Sequence, residues 1–165
     1  YKYLPEVVFG GMDGLVTTFA IVAGSVGAGF PAIVIVILGF ANVLADAFSM
    51  GASGYLSAVS EKSIADYKDT RPPLLKAVVT FLSFVLVGAI PILPFLFVLG
   101  DGVINNNTIY TSIIITGLAF ALIGYFSGLV AGKNPWLTGL RNLVIGGLAS
   151  SIAFFVGSIL SGLIS

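Results

Sequence analysis

Residues 32–57, AIVIVILGFANVLADAFSMGASGYLS, form an almost unbroken apolar run with one charged side chain, Asp46. About 20 apolar residues in a helix cross a bilayer core about 30 Å thick, so this run predicts a membrane-spanning helix. Four other runs qualify in the same way. The five predicted spans are about 7–30, 32–57, 75–99, 108–131 and 140–164. The sequence therefore predicts an all-α membrane protein, with residues 1–165 as one transmembrane domain.

The composition agrees with this class and excludes several others. Apolar residues make up 58% of the chain and charged residues 8%, with no Cys and no His. A soluble domain carries about 25% charged residues, so a soluble enzyme or a nucleic-acid-binding protein is excluded. Disulfides, thiol nucleophiles, His-based triads and the usual zinc ligand sets lack their residues. We therefore expect no nucleic-acid partner and no tightly bound cofactor. The first run is too long for a signal peptide and contains Asp13.

The basic residues predict the orientation in the membrane, because they are enriched in cytoplasmic loops. All seven fall on one side of the predicted spans, and the opposite loops carry only Asp101. Those seven are Lys2, Lys62, Lys68, Arg71, Lys76, Lys133 and Arg141. We predict a cytoplasmic N-terminus, an outside or lumenal C-terminus, and a short cytoplasmic linker at 61–73.

Three acids lie in or near the first two spans: Glu6, Asp13 and Asp46. An ionised Asp in the middle of a bilayer costs about 2.5–3.5 kcal/mol on insertion scales. Ion pairing is the ordinary structural explanation, yet no Lys or Arg lies inside a span to provide it. The acids are then protonated, hydrogen-bonded or neutralised by a cation from solution. Intramembrane acids often have such a function, which favours a cation or proton pathway.

Helical spacing places these acids on two facing stripes. Glu6 and Asp13 are about two turns apart, and Asp46 lies one turn from Met50. In two antiparallel helices, Asp13 and Met50 fall at about the same depth, with Glu6 at the cytoplasmic entrance. Carboxylate oxygens alone suit Mg²⁺ or Ca²⁺, whereas a Met sulfur in the same layer favours softer metals such as Fe²⁺. The same stripes also carry Thr17 and Asn42, which we predict as weaker pathway residues.

Small residues and prolines in the spans indicate how the helices pack. Stripes at four-residue spacing, Gly10/Gly14, Ala45/Ser49/Ser53/Ser57 and Gly124/Gly128/Gly132, allow close helix approach. Packing within one bundle is favoured over a dimer seam, although the spacing alone does not separate the two. Pro91 and Pro94 predict a kink or break in the third span. That break is either a static bend or a place where freed carbonyls line a pathway.

Four segments resemble the vacuolar iron transporter family of divalent metal exporters, and together they cover nearly the whole chain. They are GGMDGLVTTFAIVAG at 10–24, GFANVLADAFSMGASGYLSAVSEKS at 39–63, FLSFVLVGAIPILPF at 81–95 and GLRNLVIGGLASSIAFFVG at 139–157. The resemblance implies a five-helix protomer that forms a homodimer with a metal path between the subunits. It also implies export of Fe²⁺, sometimes Mn²⁺, in exchange for protons.

Carried over residue by residue, the family's membrane metal site falls on Asp13 and Met50. Glu6 lies near the entrance, and Asp46 binds the ion deeper or carries the proton. Tyr125 is a weaker counterpart, a hydroxyl lining the pathway. We expect a prokaryotic cell membrane, with a vacuolar or other endomembrane as the alternative.

Two features depart from the family pattern. Well-studied members carry a long cytoplasmic insert that loads metal, where this chain has only the linker at 61–73. Gly54 stands where the family often has an acid. Two other functions therefore stay open: a transporter of protons or of a monovalent cation, and a membrane assembly or regulatory subunit that transports nothing.

Overall fold

The computed structural model describes residues 2–63, 69–100 and 103–164. Within these ranges it contains helices and no strand. The α-helices are α1 (Leu4–Gly27), α2 (Ala32–Glu61), α3 (Pro73–Gly88), α4 (Leu93–Leu96), α5 (Asn106–Val130) and α6 (Pro135–Ile164). Five stretches are long and apolar enough to span a membrane, with Pro73–Leu96 counted as one. The predicted all-α fold with five candidate spans is confirmed for this part of the chain. Lys68 and Asp101, used to predict the orientation, lie outside the described residues.

Local capping sets the helix ends, which differ by a few residues from those that hydropathy predicts. Gly29 has a φ of 73°, and the amide of Phe30 donates to the carbonyl of Ser25 at 3.0 Å. This left-handed glycine turn ends α1 at Gly27. At the other end of the chain, α6 begins at Pro135 rather than near 140. It does so because Asn134 Oδ1 accepts hydrogen bonds from two amides of the first turn.

The third span is broken at its two prolines, as predicted. The α-helix stops at Gly88, and a 3-10 turn at Ile90–Ile92 leads into the short α4. The Ser112 hydroxyl of α5 donates to the Pro91 carbonyl at 2.7 Å, and both groups are buried. That oxygen therefore has a partner within the bundle and does not face an open pathway.

Helix α1 lies at the centre of the bundle, with α3 and α6 as its main neighbours and α2 and α5 also in contact. Gly10 and Gly14 make the approach to α3 possible. A Cβ on Gly10 would lie 2.5 Å from the Thr80 carbonyl oxygen, and one on Gly14 would lie 2.7 Å from the Phe84 oxygen. Two backbones therefore touch where larger residues would hold them apart.

The predicted small-residue stripes have different environments. A Cβ on Gly124 or Gly128 would lie 2.6 Å from a Cα atom of α6, so these glycines also pack inside the bundle. Gly132 instead has a φ of 62°, in the turn before α6. The α2 stripe is exposed at each of its four positions, Ala45, Ser49, Ser53 and Ser57. Two stripes thus serve packing within the protomer, and the third is free of it.

Candidate metal pathway

A groove of about 510 Å³ opens among α1, α2 and α3, near the end of the bundle where α1 begins. It brings together three carboxylates and one thioether, from Glu6, Asp13, Glu61 and Met50. Its lining also includes Phe9, Ser49, Ser53, Gly54, Ser57, Ala58, Lys76, Ala77 and Thr80. Oxygen and sulfur donors from two helices therefore share one space.

Asp13 and Met50 both line this groove, as their predicted equal depth requires. Each side chain is partly exposed. The glycine contacts between α1 and α3 fix where Asp13 lies, because backbone packing leaves α1 little room to shift. The pair offers two hard oxygens and one soft sulfur, a set suited to divalent metals of the later first row.

Asp46 lies on α2, which contacts α1, the helix that carries Asp13. It does not line the groove itself. One turn away, the Asn42 Nδ2 atom is buried without a hydrogen-bond partner among the described residues. Asp46 and Asn42 are therefore polar positions of α2 outside the groove lining.

Glu6 has a partner, so the prediction of three acids without a basic partner is wrong for this residue. Arg71 Nη1 lies 2.9 Å from Glu6 Oε1. The sequence pattern missed this pair because Arg71 lies outside the spans, in the linker, which returns to the start of α1. The Glu6 side chain is 10% exposed. The entrance carboxylate is therefore neutralised by this chain's own cation.

A second carboxylate holds Arg71 from the other side. Asp69 accepts hydrogen bonds from Arg71 Nε and Nη2, the latter at 2.7 Å, and from Lys76 Nζ at 3.1 Å. The hydrogen bonds from Arg71 hold the pKa of Asp69 well below its usual range, and Lys76 adds to this. The same bonds raise the pKa of Arg71. Both groups stay charged at any physiological pH.

Glu61 was not among the predicted site residues, yet it lines the groove. It accepts a hydrogen bond from the Ser57 hydroxyl at 3.3 Å. The spacing on α2 could have predicted Glu61 as a groove residue. Met50, Ser57 and Glu61 are separated by seven and then four residues and so share a helix face. Gly54 faces the same groove with open space where a side chain would be.

The two remaining predicted pathway residues lie elsewhere. The Thr17 hydroxyl donates to the Asp13 carbonyl at 2.9 Å, which satisfies it within α1. Tyr125 packs edge-on against Trp136 at 5.3 Å between ring centroids. Neither lines the groove. Within the described ranges, no three acidic side chains converge as a ready-made metal site.

The family model that matches this chain and the curated relatives agree on one family. The model of the VIT family matches residues 4–71 and 61–158. The vacuolar iron transporter of Toxoplasma gondii is 26% identical over 224 residues, covering 96% of this chain and 74% of that protein. Vacuolar iron transporter 1 of Tulipa gesneriana is 27% identical over 210 residues, with 90% and 83% covered. Both alignments are longer than the 165-residue chain, so the relatives carry residues without a counterpart here.

Proposed function

The chain belongs to the VIT family, and on that basis we propose that it carries Fe²⁺ or Mn²⁺ out of the cytosol in exchange for protons. It is a multi-pass membrane transporter and not a catalytic enzyme. Curated relatives that align with most of its length are named vacuolar iron transporters, which supports a metal ion as the substrate.

One observation carries the proposal for the substrate: Asp13 and Met50 line the same groove from different helices. Carboxylates alone would serve Mg²⁺ and Ca²⁺ equally well. The thioether adds affinity for softer metals and none for Ca²⁺, which favours Fe²⁺ and its neighbours. Glu6 and Glu61 also line the groove and offer carboxylate oxygens to an entering ion.

Proton coupling follows from the chemistry of the carboxylates. A carboxylate must lose its proton before it binds metal, so the two ions compete for the same oxygen atoms. In this mechanism, metal bound at Asp13 leaves on the far side and protons return through Asp46 or Asp13.

The charge distribution supports the direction of transport. Lys2, Arg71 and Lys76 lie at the end of the bundle where the groove opens, and Arg71 and Lys76 help to form its entrance. Basic residues mark cytoplasmic ends, so the groove opens to the cytosol. A prokaryotic cell membrane is the proposed location, and a vacuolar membrane is the alternative.

We further propose a homodimer with the path between its subunits. The exposed stripe of Ala45, Ser49, Ser53 and Ser57 supports this, because its three serines also line the groove together with Met50. Small side chains permit close helix approach in a membrane. A second copy against α2 would close the open side of the groove.

The short linker at 61–73 supports a protein without a metal-loading insert. The family model matches this chain in two segments, 4–71 and 61–158, which overlap at residues 61–71. The extra residues of the relatives are then best placed at this linker. Metal would enter the groove from solution directly.

Purified protein in proteoliposomes tests the proposal. Vesicles with an acidic interior are offered Fe²⁺, Mn²⁺, Co²⁺, Zn²⁺ or Ca²⁺, and metal uptake is followed for the native chain and for Asp13→Asn. We expect uptake of Fe²⁺ or Mn²⁺ by the native chain and at least about a tenfold loss in the variant. Absence of uptake for every metal, in protein shown to be folded, contradicts the proposal. Uptake of K⁺ or Na⁺ instead would favour a monovalent-cation transporter.

A further inference from the structure

One carboxylate of the groove, that of Glu6, is already paired with a cation of the chain. Arg71 Nη1 contacts both oxygens of Glu6, at 2.9 Å to Oε1 and 3.0 Å to Oε2. The two side chains are only 20% and 10% exposed, so water screens this pair less than a surface pair. An entering metal ion therefore meets a carboxylate whose charge is taken.

Arg71 is held in that position by three other groups. Its Nη1 donates to the Lys2 carbonyl at 2.7 Å, and its Nε and Nη2 bond to Asp69. The guanidinium carbon also lies 5.7 Å from the centre of the Tyr3 ring, within cation–π range. The guanidinium therefore stays at the entrance even when its bond to Glu6 is broken.

The charges within the ion-pair network around Arg71 cancel. Glu6 and Asp69 supply two negative charges, and Arg71 and Lys76 supply two positive charges. A monovalent cation gains little by approaching Glu6, because it would exchange one single charge for another. A divalent ion has twice the charge and can displace the guanidinium, which remains bound to Asp69.

We propose that Arg71 is a specificity-determining residue: it competes with incoming ions for Glu6, sets the metal concentration at which the groove fills, and disfavours monovalent cations. Arg71 acts through Glu6 and is not itself a ligand. This inference rests on the proposed function. A purely structural role, joining the linker to α1, would affect folding and not ion preference.

The test compares initial rates of Mn²⁺ uptake in proteoliposomes for the native chain, Arg71→Gln and Arg71→Lys. For Arg71→Gln we expect the half-saturating Mn²⁺ concentration to fall about fivefold at an unchanged maximal rate, as loss of one ion pair allows. KCl, compared with choline chloride at equal ionic strength, should inhibit Arg71→Gln more than the native chain. Arg71→Lys keeps the charge and should behave as the native chain does.

Three further variants separate competition at Glu6 from other effects. Lys133→Gln removes a positive charge in the turn before α6 and should leave half-saturation unchanged. In a Glu6→Gln background, Arg71→Gln should not change half-saturation further, because the carboxylate for which Arg71 and the metal compete is no longer present. Asp69→Asn frees Arg71 for Glu6 and should raise the half-saturating concentration, which keeps the test decisive even if Arg71→Gln does not fold.

The outcomes for the two proposals are distinguishable. A native chain that moves no divalent metal contradicts the proposed function itself. The role of Arg71 alone is overturned if the native chain takes up metal and Arg71→Gln has the same half-saturating concentration as the native chain. It is also overturned if Lys133→Gln lowers that concentration as much as Arg71→Gln does. A parallel loss of maximal rate in every Arg71 variant, without a change in half-saturation, also overturns it and indicates a structural role.

Discussion

Asp13 on α1 and Met50 on α2 line one groove, so a carboxylate and a thioether from separate helices face the same space. Gly10 and Gly14 hold α1 directly against the backbone of α3. Helix packing thereby fixes the depth of Asp13, and the turn at Gly29 sets the register of α2 that follows it.

The sulfur of Met50 should determine metal preference. Met50→Leu keeps the volume of the side chain and removes the thioether, so folding should be little affected. We expect the preference for Fe²⁺ over Ca²⁺ to fall several-fold while total transport persists, because carboxylate oxygens still bind hard ions. Competition between the two metals in proteoliposome uptake measures this directly.

Met12 provides the matched control, since the chain has only two methionines. It lines a different cavity, between α1, α5 and α6. Met12→Leu should leave the Fe²⁺ preference as it is in the native chain. Equal changes in both variants would mean that the effect comes from packing, and the thioether would have no part in selection.

The contact between α1 and α3 should tolerate no side chain at Gly10. A Cβ there would lie 2.5 Å from the Thr80 carbonyl oxygen, so Gly10→Ala forces the helices apart. Overpacking costs about 1–3 kcal/mol, which predicts a fall in the midpoint of thermal unfolding of about 3–10 °C. Unfolding in detergent, followed by circular dichroism, checks the shift.

The same substitution at Gly147 of α6 serves as the comparison, because a Cβ at that position meets nothing within 4 Å. Gly147→Ala should not lower the unfolding midpoint. If both alanine variants were as stable as the native chain, the close approach of α1 and α3 would be refuted.

The ion pairs of Asp69 should not make the free energy of unfolding depend on pH in the physiological range. The pKa of Asp69 is depressed, chiefly by its hydrogen bonds from Arg71. An acid whose pKa is lower in the folded state than its ordinary value, here 3.8, stabilises the folded state at pH values above 3.8. That contribution is lost only as the pH falls through the pKa of the folded state. The difference in unfolding midpoint between the native chain and Asp69→Asn should therefore be constant from about pH 5 to pH 8.

Unfolding midpoints at pH 8, 6.5 and 5, and again below pH 3.8, would measure this difference. The gap should narrow only in the most acidic sample. A gap that stays the same below pH 3.8 would show that the pKa of Asp69 is not lowered in the folded state and that Arg71 does not hold its charge.

The exposed stripe of α2 should lie at the interface of the proposed homodimer. The native chain has no Cys, so Ser53→Cys introduces a single thiol. Two copies packed through α2 bring these thiols together, and a short thiol-reactive cross-linker in membranes should give a covalent dimer. Ser151→Cys, exposed on α6, should not cross-link. A dimer from Ser151→Cys alone would place the interface on α6.

Hydropathy predicts the spans well, because a helix in a bilayer needs a long apolar run whatever it packs against. It predicts helix ends less well. The start of α6 depends on the side chain of Asn134, a polar residue that a hydropathy window treats only as the end of a run. The break at Pro91 was predictable because proline lacks the amide hydrogen that a helix uses.

The candidate site was predictable only where one helix carries the information. Spacing on α1 and α2 placed Asp13 and Met50 together, and the same reasoning extended by three turns would have found Glu61. The pair of Glu6 and Arg71 joins residues that are far apart in sequence, so helical periodicity holds no trace of it. The surroundings of Tyr125 were not predictable from one helix either, because its contact with Trp136 joins α5 to α6.

Simultaneous measurement of metal and proton movement is a direct test of metal–proton exchange through Asp13. Proteoliposomes with an acidic interior and a trapped pH indicator receive Fe²⁺ or Mn²⁺, for the native chain and for Asp13→Asn. We expect the interior to become more alkaline as metal enters, and both signals to fall together in the variant by about tenfold or more. Metal entry without proton exit, or equal uptake in Asp13→Asn, would contradict exchange through this carboxylate.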